Sequence, residues 1–103
     1  MNFSCVGTFT RLDKFGNPLF TIEHQYAQSL EKIFTQAPNH KLPVFGNLYT
    51  IKGVPESLLI PGTIIYFILL ISHIKYSDKK FIRLVAKQTF RDPEAWNIAK
   101  EMM

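Results

Sequence analysis

The stretch from Pro61 to Lys87, PGTIIYFILLISHIKYSDKKFIRLVAK, leaves this chain few folds to choose from. Ile64 to Ile74 is crowded with β-branched and aromatic residues, which suit a pleated, packed surface. Pro61-Gly62 is a turn pair able to launch a strand, and Tyr76-Ser77-Asp78-Lys79-Lys80 is a polar tip short enough for a hairpin. Past the tip the sequence alternates, with Phe81, Arg83, Val85 and Lys87 on one face and Ile82, Leu84 and Ala86 on the other. The strand before the tip is apolar on both faces, Ile64, Tyr66, Ile68 and Leu70 against Ile65, Phe67, Leu69 and Ile71. Such a strand has to be covered twice. One face can meet the core; the other needs the C-terminal segment with Trp96 or a partner subunit, and a homodimer or higher oligomer is expected.

Leu58 to Ile74 carries no Lys, Arg, Asp or Glu. It falls short of the ~20 apolar residues a spanning helix needs, and Pro61, Gly62 and Thr63 interrupt it. A soluble, non-membrane chain is therefore expected. The start, MNFSCVGTF, lacks a basic leader region, and a single cysteine, Cys5, allows no internal disulfide; both suit a cytoplasmic setting. Among Phe3, Val6 and Phe9, Cys5 reads as a buried structural thiol.

With 103 residues, 47% of them hydrophobic, the chain is long enough for one domain over 1–103 with its own core. Phe3 to Leu12 reads as a first strand, with Gly7 marking a bulge or bend. Asp13 to Asn17 supplies turn chemistry, and Pro18 to Tyr26 returns as a second strand. From Tyr26 to Ala37 the spacing of Ala27, Leu30, Phe34 and Ala37 predicts a short helix; a loop extending the second strand is the alternative. Lys41 to Lys52 reads as a third strand bent at Gly46, with Leu42, Val44 and Leu48 opposite Phe45, Asn47 and Tyr49. Pro55 to Ile60 allows one helical turn. Asp92-Pro93-Glu94 has the chemistry of a helix start, so 91–103 is expected to hold a terminal helix. The sum is a mainly β fold, a small five-stranded Greek-key barrel with one internal and one C-terminal helix. An open α+β sheet is the alternative.

Lys and Arg outnumber Asp and Glu by 12 to 8, a balance that suits a polyanionic partner. The histidines His24, His40 and His73 have no metal-ligand spacing, no carboxylate pair stands out, and neither a phosphate-binding glycine loop nor a nucleophile elbow is present. A non-catalytic protein without cofactor or metal is expected. Aromatic side chains can stack on any base, and Lys and Arg can neutralise phosphates, so an aromatic, basic surface suits single strands. The candidates are Phe45, Tyr49 and Lys52 on the third strand, and Tyr76, Lys79, Lys80, Phe81, Arg83 and Lys87 on the last hairpin. Arg11, Lys14 and Phe15 extend the surface from the first hairpin.

The segments Val6 to Arg11, Lys14 to Pro18 and Phe20 to His24 resemble the first hairpin of the single-stranded-DNA-binding OB-fold group, nearest in pattern to primosomal replication protein N. Pro55 to Phe67 is similar to that group's helical turn, glycine and fourth strand, while Gln25 to Asn39 has no counterpart and the terminal helix is unusual there. The resemblance implies an OB-like barrel that binds single-stranded DNA, or RNA, in replication or recombination. It further implies a homo-oligomer that works with other replication proteins in a bacterial or viral setting, without catalysis. A protein-interaction scaffold built on the same barrel is the alternative.

Overall fold

The computed structural model describes residues 1–103. Its elements run β1 (Asn2–Leu12), β2 (Pro18–Ile22), α1 (His24–Thr35), β3 (Val44–Phe45), β4 (Leu48–Thr50), a 3-10 turn at Glu56–Leu58, β5 (Ile64–Tyr76), β6 (Lys79–Phe90) and α2 (Pro93–Glu101). The six strands form one sheet in the order β3-β4-β2-β1-β5-β6, and every named pair is antiparallel.

The expected five strands become six because the segment after Lys41 is not one bent strand. Gly46, at φ +66°, and Asn47 form a two-residue hairpin turn that pairs Phe45 with Leu48 and Val44 with Tyr49. Gly46 can take the positive φ without a Cβ penalty. The turn also resets the alternation of faces. Tyr49 sits with Val44 rather than with Phe45, and goes into the core.

The sheet is not a continuous closed barrel. Its two ends curl toward each other and touch at two isolated parallel bridges, Lys41 to Phe81 and Lys52 to Val85. At the first, Lys41 N–H donates to the Lys80 carbonyl at 2.8 Å and Ile82 N–H to the Lys41 carbonyl at 2.9 Å. At the second, Lys52 N–H donates to Leu84 and Ala86 N–H to Lys52. A parallel ladder continuing from Lys41 would ask residue 43 to donate to the Ile82 carbonyl. Residue 43 is a proline without an N–H, and its carbonyl is taken by Thr50 N–H at 2.9 Å. Pro43 therefore turns the chain away from β6, and the seam stays open between the two bridges.

The interior is held by β1, β2, β5 and β6, where Phe9, Phe20 and Phe67 meet edge to face at centroid distances of 5.6 and 5.4 Å. Leu30 and Phe34 of α1 close one side of this core, four residues apart on one helical face. The helix begins at His24, two residues before the periodicity suggested, and replaces the second strand's expected last turn. Cys5 is fully buried, and desolvation pushes its thiol up to about 12. Gly7 marks no bulge. The irregularity in the β1–β2 ladder falls between Phe9 and Arg11, and Gly7 instead allows a close approach, since a Cβ there would sit 2.5 Å from the Thr21 carbonyl oxygen.

The middle of the outer face of β5, at Tyr66 and Ile68, is covered from within the chain, while Ile64 stays exposed. Asp92 caps α2 by accepting from Glu94 N–H at 3.0 Å, with Pro93 in the first turn. The helix lays Trp96 against Val6 and Ile68, flanked by Tyr26 and Tyr66. The indole N–H donates to the Phe67 carbonyl at 2.9 Å, so the ring is buried with no unsatisfied polar atom. The apolar face that called for a partner subunit meets α2 at Tyr66 and Ile68. No helix is long and apolar enough to cross a membrane.

Candidate functional site

The open seam widens into a groove of about 1180 Å³ between the β1–β2 turn, the segment from Asn39 to Phe45 and the start of β6. Nine of the residues singled out from the sequence line it: Arg11, Lys14, Phe15, Phe45, Lys52, Lys79, Lys80, Phe81 and Arg83. They come from three hairpins distant in sequence, brought together by the curl of the sheet. Two exposed phenylalanines stand at the groove, Phe15 at 78% exposure and Phe45 at 68%, while Phe81 is half-buried. A single exposed ring is ordinary, but exposed rings gathered at one concave surface form the kind of apolar patch that marks interaction sites.

The charge distribution is uneven. Seven basic side chains line the groove, against two acidic ones, Asp13 and Asp78. The rest of the chain carries five basic and six acidic residues, so the positive balance of the protein resides at this one place. Asp13 is engaged within its own turn. Its Oδ1 accepts from Phe15 N–H and Asn17 N–H, both at 2.8 Å, and Oδ2 from Asn17 Nδ2 at 3.1 Å. The Asn17 N–H, with further help from the Asn17 side chain, Phe15 N–H and the Lys52 ammonium, holds the Asp13 carboxyl below its usual range against an opposing desolvation cost. Lys52 Nζ donates to Asn17 Oδ1 at 2.8 Å, tying the second seam bridge to the first hairpin. The cations rest beside rings: Lys14 Nζ lies 5.2 Å from the Phe15 centroid, and the Arg83 guanidinium carbon 5.8 Å from that of Phe81.

Three sequence candidates are not in the groove. Tyr49 is buried, only 5% exposed, because the β3–β4 turn faces it inward; burial, then the charge of Glu31, raises its phenol pKa. Tyr76 is exposed at the β5–β6 tip beside its register partner Lys79, outside the lining. Lys87 occupies the bulge between Ala86 and Gln88, where β6 has one residue more than β5, and points to solvent away from the groove. Sequence reading missed Asn39, Lys41 and Leu42, which line the groove just before β3. The available signal was Pro43, a residue that ends ladder pairing and opens an edge.

No family model matches this chain, and no curated protein or solved structure compared with it gives a match.

Proposed function

We propose that this chain is a non-catalytic OB-type protein that binds single-stranded nucleic acid, DNA in preference, along the groove. The observation that carries the proposal is the coincidence of seven cations and two exposed phenylalanines in one seam, on a molecule otherwise balanced in charge. The strand order supports the OB reading. β1 pairs with both β2 and β5, and β6 turns its free edge parallel to the segment that follows β2 and α1. In such barrels single strands lie across the second and third strands and between the first and last hairpin loops, which is where the groove runs. Stacking on Phe15 and Phe45 contributes on the order of 1–3 kcal/mol per base and tolerates any sequence. Phosphate neutralisation by Arg11, Lys14, Lys52, Lys79, Lys80 and Arg83 releases counterions and ties affinity to salt.

Work in replication or recombination, with other proteins of that process, belongs to the same proposal and rests on the sequence resemblance. Homo-oligomer formation is part of it too, through a surface other than the α2-covered strip of β5. Fluorescence anisotropy with a labelled oligo-dT strand tests the binding. Affinity is expected at low salt and should fall steeply as salt rises; absence of binding at low salt overturns the proposal.

A further inference from the structure

Beside the groove, on the hairpin that forms one of its walls, the groove cation Lys80 stands among residues that lie outside the lining. In the β5–β6 ladder His73 stands directly opposite Ile82, and Lys75 directly opposite Lys80. Directly opposed residues share a face, and so do residues two apart along a strand, so His73, Lys75 and Lys80 lie on one side of this hairpin. Like charges directly opposite each other destabilise a sheet pair. His40 joins them from the segment ahead of β3. Its ring meets His73 edge to face at a centroid distance of 5.5 Å. Asn39, at φ +66°, turns the chain so that His40 reaches this face while Lys41 makes both bonds of the first seam bridge. His40 is half-buried and His73 exposed.

The groups facing the two imidazoles are cationic, Lys75 from β5 and Lys80 from β6, while Lys41, bridged to Phe81, lies on the other face. The hairpin's one acid, Asp78, lies in the turn beyond the Tyr76–Lys79 pair. His40 Nδ1 lies 3.1 Å from the Pro38 carbonyl. A carbonyl only accepts, so Nδ1 is the donor there and Nε2 is the nitrogen left to take up a proton. Two imidazoles among two lysines disfavour a metal cation and favour an anion. Lys80 also lines the groove, so an anion held here is continuous with it.

We infer that His40, His73, Lys75 and Lys80 form a phosphate subsite that takes up protons as it is filled, so that the groove holds a polyanion more tightly as pH falls from 8 to 6. The inference deepens the proposed strand binding by adding its regulation. Histidine is the side chain whose charge changes in this interval, and a bound phosphate favours the charged form. A rise of one unit in the pKa of one imidazole strengthens binding about tenfold across its titration. The phosphate can belong to a strand or be free, and the chemistry is the same.

The test is an NMR titration of the three histidines in the full chain, free, saturated with oligo-dT, and saturated with inorganic tripolyphosphate. His24, at the start of α1, is the internal control. Supporting results are a rise in the midpoints of His40 and His73 with either ligand, an unmoved His24, and an affinity that strengthens by about tenfold or more between pH 8 and pH 6. His40→Gln and His73→Gln should each shrink that pH ratio. A response to tripolyphosphate without oligo-dT binding supports the subsite and overturns the strand proposal. Oligo-dT binding with His40 and His73 midpoints unmoved overturns the subsite and leaves the strand proposal standing. No response to either ligand overturns both.

Discussion

Two regions of this protein are built from the same materials, an aromatic ring with a cation beside it, and put them to opposite use. Under α2, Trp96 is 5% exposed, its N–H is satisfied by the Phe67 carbonyl, and Lys100 Nζ closes over the ring 3.6 Å from its centroid. At the groove, Phe15 and Phe45 stand largely in water, with Lys14 near the first ring. The first arrangement spends its aromatic surface on folding; the second leaves it free for a ligand. Residue type alone cannot separate the two. What separates them is that Asp92 caps a helix which presses Trp96 inward, whereas Pro43 breaks a ladder which would otherwise have closed over the groove.

The largest effect is expected where the ring is buried. Trp96→Ala should lower unfolding stability by about 3–5 kcal/mol, read by urea denaturation, because it empties the space over Val6 and Ile68 and leaves the Phe67 carbonyl without its donor. Phe15→Ala and Phe45→Ala should leave stability within about 0.5 kcal/mol. Each should instead weaken oligo-dT binding by about 1–3 kcal/mol, read by anisotropy. Equal stability losses at Trp96 and Phe45 would erase the distinction between the two regions. Between these extremes, Gly7→Ala should cost about 1–3 kcal/mol, because the new methyl meets the Thr21 backbone carbonyl rather than a side chain able to move aside. It tests whether the β1–β2 part of the sheet joining the two regions is as tightly packed as described.

Smaller effects come from titration. The Cys5 thiol has a folded pKa above its unfolded one, so its share of stability is complete below pH about 9 and is lost as pH rises toward 12. In the folded protein at pH 8 a thiol reagent should react with Cys5 only as fast as the chain unfolds; rapid labelling would mean that β1 is not buried as described. Asp13 works in the other direction. Its folded pKa lies below the unfolded value, so its contribution is present above pH about 4 and is lost as acid protonates it. Asp13→Asn should flatten the stability profile in that acid range and loosen the turn that presents Phe15, the smallest effect of the set.

Much of the fold was legible because local chemistry and tertiary structure agree. The β5–β6 hairpin, the first hairpin and the start of α2 at Asp92-Pro93-Glu94 all form where their residues point. The groove residues were legible by type, since Arg11, Lys14, Phe15, Phe45, Lys52 and the β6 cations do converge. What was not legible depended on counting along a strand. Reading Lys41 to Lys52 as one strand put Phe45 and Tyr49 on the same face, and the two-residue turn at Gly46-Asn47 separates them. The same holds for Lys87, which an extra residue in β6 displaces from the alternation that places Arg83. The role of Pro43 appears only once Lys41 is seen beside β6, a contact between distant segments that no local pattern encodes.

The positive balance of the chain is concentrated in the groove, and the proposal is that a single strand occupies it. It is tested most directly by the salt dependence of oligo-dT affinity in the wild-type protein and in Arg83→Ala, with Lys100→Ala as the cation from the other region. The expected result is a steep negative slope of log affinity against log salt, flattened by about 0.7 in Arg83→Ala and unchanged in Lys100→Ala. Binding whose slope responds to Lys100 and not to Arg83, or no binding at low salt, would contradict it.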